Sequence, residues 1–249
     1  MAVLLYAVLG IKMILFNQKE EGVMMVSNDF EMQGDVLVTY KGNAQEIVVP
    51  EGVTEIAASA FEDCACIRTL AFPNTLKKIG DHAFKGAYML GELVIPDSVV
   101  SVGYQAFYGC ACVERVVIGR SLKEIENGAF AGLQFLKEIV VDEENPHFKS
   151  LDGCLYTKNG DTLIQFPTGK IEFHIVVPDG VKFVSDHAFF MASHILSVTL
   201  PESVISVGRE AFQYCKALCS VTMLNPDTKI GIFTFDSCEF LQTVKRGKT

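Results

Sequence analysis

Eight cysteines are the residues of this 249-residue chain best suited to chemistry, and four of them stand in two Cys-Ala-Cys triplets, Cys64/Cys66 and Cys110/Cys112. Thiols paired at that spacing can hold zinc, close a disulfide or exchange electrons, provided that the fold brings the pairs together. A second candidate is the cluster Asp152, Cys154 and Tyr156, which puts an acid, a nucleophile and a phenol within five residues. The histidines form no His-x-x-x-His pair, and neither Gly-x-Ser-x-Gly nor a paired-carboxylate motif occurs. The terminal Gly247-Lys248-Thr249 lacks the Gly that a phosphate loop needs five residues before its final Gly, since Gln242 stands there. The acidic run Asp142 to Asn145 reads as a solvated loop, because a calcium loop requires more spaced oxygen ligands.

Whether the triplets can meet depends on the elements that carry them. Marking each Phe that follows Ala or Thr in one recurring context gives Phe61, Phe84, Phe107, Phe130, Phe189, Phe212 and Phe235, with intervals of 23, 23, 23, 59, 23 and 23. An aliphatic residue stands five positions before each Phe (Ile56, Ile79, Val102, Ile125, Val184, Val207, Ile230). Apolar residues also stand nine and eleven positions after it, as in Leu93/Ile95 and Val116/Ile118, alternating with residues of any kind. That alternation predicts short strands with one buried face, and the Pro that follows several of them (Pro73, Pro96, Pro201) ends the strand. One such unit cannot bury its own apolar side, so copies must stack.

The unit apolar-x-x-[VLI]-x-apolar-P-x-x-[VL]-x-x-[IV]-G-x-x-A-F-x-x-C closely resembles the BspA-type bacterial leucine-rich repeat, over about residues 50–246. The resemblance implies a repeat solenoid: a right-handed leucine-rich-repeat coil with one parallel β-sheet face, short extended segments and turns elsewhere, and little helix. It also implies an adhesin-like or scaffold role at the cell surface or outside the cell. The 59-residue interval equals 36 plus 23, so one coil carries an insert, and Asn159-Gly160 between two alternating runs predicts a hairpin at about 146–170. A similar element opens the chain, since Asp29 to Val53 echoes His147 to Val181. The expected organisation is therefore an N-terminal segment, 1–28, and a single solenoid, 29–249.

The apolar start reads as a cap packed on the domain or an atypical targeting segment. Its first charge, Lys12, lies inside the apolar run, which fits neither a standard signal peptide nor a membrane span, so the cytoplasm stays open as a location. Thirty acidic against 21 basic residues give a net charge of -9, which argues against a nucleic-acid partner.

In this frame the cysteines lose their chemistry. Cys64, Cys110, Cys215 and Cys238 share the position three residues after the repeat Phe. Adjacent coils lie about 4.8 Å apart, so Cys64 and Cys110, two coils apart, are about 10 Å from each other, too far for a disulfide or a shared zinc. Buried, reduced thiols at the first Cys of each triplet are expected, and Cys215 with Cys238, on adjacent coils, is the repeat-position pair to test for a bridge. His82 and His187 stand two before the Phe, where Ser59, Gln105 and Glu210 stand elsewhere, a tolerant turn position for a solvated or hydrogen-bonded ring.

What remains is the outward side of the strands, eight and ten residues after each Phe: Thr69, Ala71, Glu92, Val94, Arg115, Val117, Glu138, Val140, Ser197, Thr199, Ser220 and Thr222. Val94, Val117 and Val140 form an aliphatic line beside Glu92, Arg115 and Glu138. A non-enzymatic module binding a protein ligand on this face is expected, as a monomer or weak oligomer and with no cofactor, catalytic residue or metal. A structural spacer in a larger assembly, or an enzyme with its site in the insert, are the alternative readings.

Overall fold

The computed structural model describes residues 29–247. The segment 1–28, expected to cap or target the chain, lies outside the described residues. Every element among the described residues is a β-strand, and the 23-residue period maps onto a coil with three sides.

The first side carries the predicted strands, such as Glu92–Ile95, Arg115–Ile118 and Glu138–Val141, paired in parallel so that Leu93, Val116 and Ile139 align on the core side. On the second side, two-residue strands pair coil to coil through Ile56, Ile79, Val102 and Ile125. The segments expected to be merely extended thus form a second parallel ladder. On the third side the Ser59, Phe61 and Asp63 amides donate to the Asp81, Ala83 and Lys85 carbonyls of the next coil. Hydrogen bonding on all three sides satisfies a backbone that has no helix to do so.

Along the axis the repeat rings form a ladder. Phe84, Phe107 and Phe130 stack at 5.2 and 6.0 Å with planes within 8° of parallel. Phe189 follows Phe166 at 5.0 Å and precedes Phe212 at 4.7 Å. Phe166, 36 residues after Phe130, supplies the ring missing from the long interval, and Tyr40 does so at the front, 5.2 Å from Phe61. A Gln before Phe166 and a phenol at position 40 hid both from the sequence pattern.

Two backbone constraints underlie this spacing. The position two before each repeat Phe tolerates many side chains but holds a left-handed φ, from 51° at Gln105 to 68° at Gly128. Gly103, four before Phe107, lies so close to the preceding coil that a Cβ there would come within 2.7 Å of the Gly80 carbonyl carbon and the Asp81 nitrogen.

The insert is an antiparallel meander of three strands, Phe148–Leu151, Cys154–Thr157 and Thr162–Gln165. The predicted Asn159-Gly160 turn joins the last two, and an Asp152-Gly153 turn with φ of 52° and 75° joins the first two. The third strand then pairs in parallel with Phe183–Val184 and starts the second run of coils. The front repeats this plan: Phe30–Gln33 pairs antiparallel with Val36–Tyr40, which pairs in parallel with Glu55–Ile56. The middle strand of the insert is buried on both faces. Leu155 joins Phe148 in the core of the first run of coils, while Cys154 and Tyr156 join that of the second.

The acidic run before the insert differs from the expected solvated loop at its last residue. Asn145 is fully buried, donating from Nδ2 to the Gly119 and Leu122 carbonyls and accepting at Oδ1 from the His147 and Phe148 amides. Four hydrogen bonds compensate its desolvation and anchor the chain where it leaves the repeat.

Candidate interaction face

The long strands place their odd and even residues on opposite sides, as the alternation requires. Glu92, Arg115 and Glu138 stand in register across three strands, and so do Val94, Val117 and Val140. Arg115 donates from Nε to Glu138 at 2.8 Å and lies 3.6 Å from Glu92 through Nη1. One guanidinium thus serves two carboxylates that would otherwise leave a bare acidic row. Val94 is 41% exposed, while Val117 and Val140 are half-buried.

The twelve predicted face residues do not share one sheet. Thr69 and Ala71 pair with Glu46 and Val48 in a two-stranded sheet. Ser197, Thr199, Ser220 and Thr222 belong to a four-stranded sheet beyond the insert. The meander separates the last four from the rest, because the Ile139 amide donates to the Gly153 carbonyl and the Ser150 hydroxyl donates to the Ile139 carbonyl. Past that division the predicted residues are hydroxyl side chains, with the Ser197 hydroxyl 2.8 Å from His174 Nδ1. The predicted face left out the outward residues of the first long strand of each run, Val48 and Val176, which are 64% and 72% exposed. Pro50 and Pro178 of the shared Ile-Val-Val-Pro set these strands in the repeat frame, but counting from the repeat Phe does not reach them, since no Phe of the pattern precedes either at the right distance.

The candidate chemistry of the insert does not assemble. Cys154 and Tyr156 point into the second core, where burial pushes the Cys154 thiol up to about 12 and raises the Tyr156 phenol above its ordinary range. Asp152 lies in the exposed turn instead, paired with Lys170. Among the described residues, no group of three or more His, Cys, Asp or Glu is placed to hold a metal ion. His187 is buried rather than solvated, with Nε2 3.0 Å from Glu210.

All eight cysteines are free thiols. Cys110, Cys215 and Cys238 each donate to the carbonyl of the repeat Phe one coil back, Phe84, Phe189 and Phe212, at 3.1 to 3.2 Å. Cys215 and Cys238 therefore make separate bonds instead of a bridge. Cys64 is only half-buried, a departure from the expectation for the first Cys of each triplet, because it lies on the first repeat coil. Burial pushes Cys110 up to about 12 and raises Cys215 too, so both stay protonated, and thus unreactive, up to pH 9. Alkylation of the native protein at that pH, followed by peptide mass analysis, should label the exposed Cys219 early and Cys110 only after denaturant is added. Equal labelling of the two would contradict the burial.

A helix-free coil of parallel strands stacked on an aromatic ladder defines a β-solenoid repeat protein. Its sequence narrows the class: the chain belongs to the family described as BspA type Leucine rich repeat region, whose model matches six copies over residues 37–154 and 167–248. The gap in that match falls on the meander.

Among solved structures, the chain is similar to a leucine-rich repeat protein from Eubacterium ventriosum, at 20% identity and a TM-score of 0.62 over 84% of this chain and 77% of that one. It is also similar to the pneumococcal vaccine antigen PcpA, at 19% identity and a TM-score of 0.58 over 82% and 69%. A third similar structure is the leucine-rich repeat protein of T. pallidum, at 22% identity and a TM-score of 0.50 over 86% and 87%. No curated protein matches the chain.

Proposed function

We propose that this chain is a non-enzymatic protein-binding module, adhesin-like or scaffolding, whose contact surface is the outward side of Glu92–Ile95, Arg115–Ile118 and Glu138–Val141. The observation that carries the reading is the register of the two rows. The valine row offers apolar area that the partner can desolvate, and the Glu92-Arg115-Glu138 row beside it orients the partner by charge. Strands held at both ends by the coil present these rows with little to reorganise on binding. The repeat family supports the reading, since leucine-rich-repeat folds typically act by binding rather than by catalysis.

Replacing Val94, Val117 and Val140 together by Lys tests it. These side chains stand on the outer side, so the melting temperature should hold. A photo-crosslinker placed at Thr69, at the rim of the rows, should capture a defined partner in source cells with the wild-type chain and lose it with the triple variant. Identical capture by both chains would refute the face, and no capture by either would favour a structural spacer.

A further inference from the structure

The meander that divides the long strands leaves an open edge behind it. The strand His174–Val176 pairs on one side with Ser197–Leu200. Among the described residues no strand pairs with its other side. The repeat would place Glu138–Val141 there, but that strand is bonded to the meander through Ile139. In a parallel ladder successive residues point their N–H and C=O groups to opposite edges. The Phe173 carbonyl accepts from the Leu196 and Ser197 amides, and the Val177 amide donates to the Thr199 carbonyl, so these odd-numbered residues face the paired edge. His174 and Val176 therefore direct their main-chain donors and acceptors to the open one.

Around that edge the surface is apolar and acidic. Ile171, Phe173 and Val176 are 83%, 50% and 72% exposed, far more than solvent-facing turns need. Leu196 adjoins Phe173 through the hydrogen bond between their main chains, and the Gly169 amide, bonded to the Leu136 carbonyl, brings this segment beside the exposed Phe135. The carboxylates of Asp152 and Glu172 lie along the break and share one amine, Lys170, which is 2.5 Å from Asp152 and 3.5 Å from Glu172. Among the described residues the corresponding strand at the front, Glu46–Val48, also pairs on one side alone but follows Asn43, Ala44 and Gln45, with no such apolar rim.

We propose that the open edge of His174–Val176 receives an extended segment of a partner protein as an added strand. Unpaired main-chain groups in a strand select another extended main chain. The apolar rim selects aliphatic or aromatic side chains at alternate positions of that segment, and the acidic break selects Lys or Arg beside them. This surface lies outside the valine row, so the proposal does not depend on the reading given above.

The test is a displayed library of random linear peptides sorted on the full chain. Enriched peptides should alternate apolar residues, carry Lys or Arg, and slow hydrogen exchange at the His174 and Val176 amides. Val176→Lys, at an exposed position, should keep the melting temperature and weaken such a peptide at least ~10-fold, as should N-methylation of the peptide's bonding amides. The variant carrying Lys at Val94, Val117 and Val140 should bind it unchanged.

Failure to enrich, equal binding by wild type and Val176→Lys, or protection confined to other strands would overturn the proposal. So would light scattering that shows a wild-type dimer abolished by Val176→Lys, because a second copy would then occupy the edge.

Discussion

Phe107→Ala is expected to lower the free energy of unfolding by about 3–5 kcal/mol. The ring is fully buried and sits between Phe84 and Phe130, so its removal opens a cavity with coils fixed on both sides. Those coils cannot close the gap, because their spacing is set by parallel backbone hydrogen bonds and by contacts such as that of Gly103 with Gly80 and Asp81. Phe235→Ala should cost about half as much, since that ring is half-buried and, among the described residues, stacks on Phe212 alone. Urea titrations of the two variants beside the wild type measure the difference. Equal losses would show that the ladder is not the source of the stability.

Leu155→Asp should cost about 4 kcal/mol and also change how the chain unfolds. Leu155 is fully buried against the first core, while its neighbours Cys154 and Tyr156 belong to the second. A carboxylate at that point meets no cation and has to be solvated by opening the end of the first run of coils. The second core keeps its own contacts, so hydrogen exchange should show residues 30–141 losing protection at lower denaturant than residues 175–246. A single cooperative loss at the wild-type midpoint would contradict a meander that joins the two cores.

Much of this architecture was legible along the chain because a solenoid is nearly one-dimensional. Each coil touches chiefly its neighbours, so a fixed period converts sequence position directly into place on the fold. The stacked phenylalanines, the parallel strands and the separation of Cys64 from Cys110 all follow from counting, and the hairpin at Asn159-Gly160 from its turn residues. The candidate face was legible only as a list. Counting assigns Ala71, Val140 and Thr199 to the same rung position, but it cannot show that a meander has taken the edge between the second and third of them.

Local identity misled for a similar reason. Asn145 reads as a loop residue because its polarity is visible, whereas the Gly119 and Leu122 carbonyls that satisfy it lie a coil away. Phe166 and Tyr40 escaped because stacking needs a flat ring at the right height, which does not depend on the residue before it.

Period and alternation by themselves thus determined the stacked coil, the inward and outward side of each long strand and the placing of Cys64 and Cys110 on coils that are not adjacent. All three depend on spacing within a coil or between successive coils. Only the tertiary structure decided that the interior forms two cores, that the long strands fall into separate sheets and that His174–Val176 keeps an open edge. The two cores and the open edge depend on where the meander docks, and its docking is set by Leu155 and Gly153 meeting partners that no period relates to them.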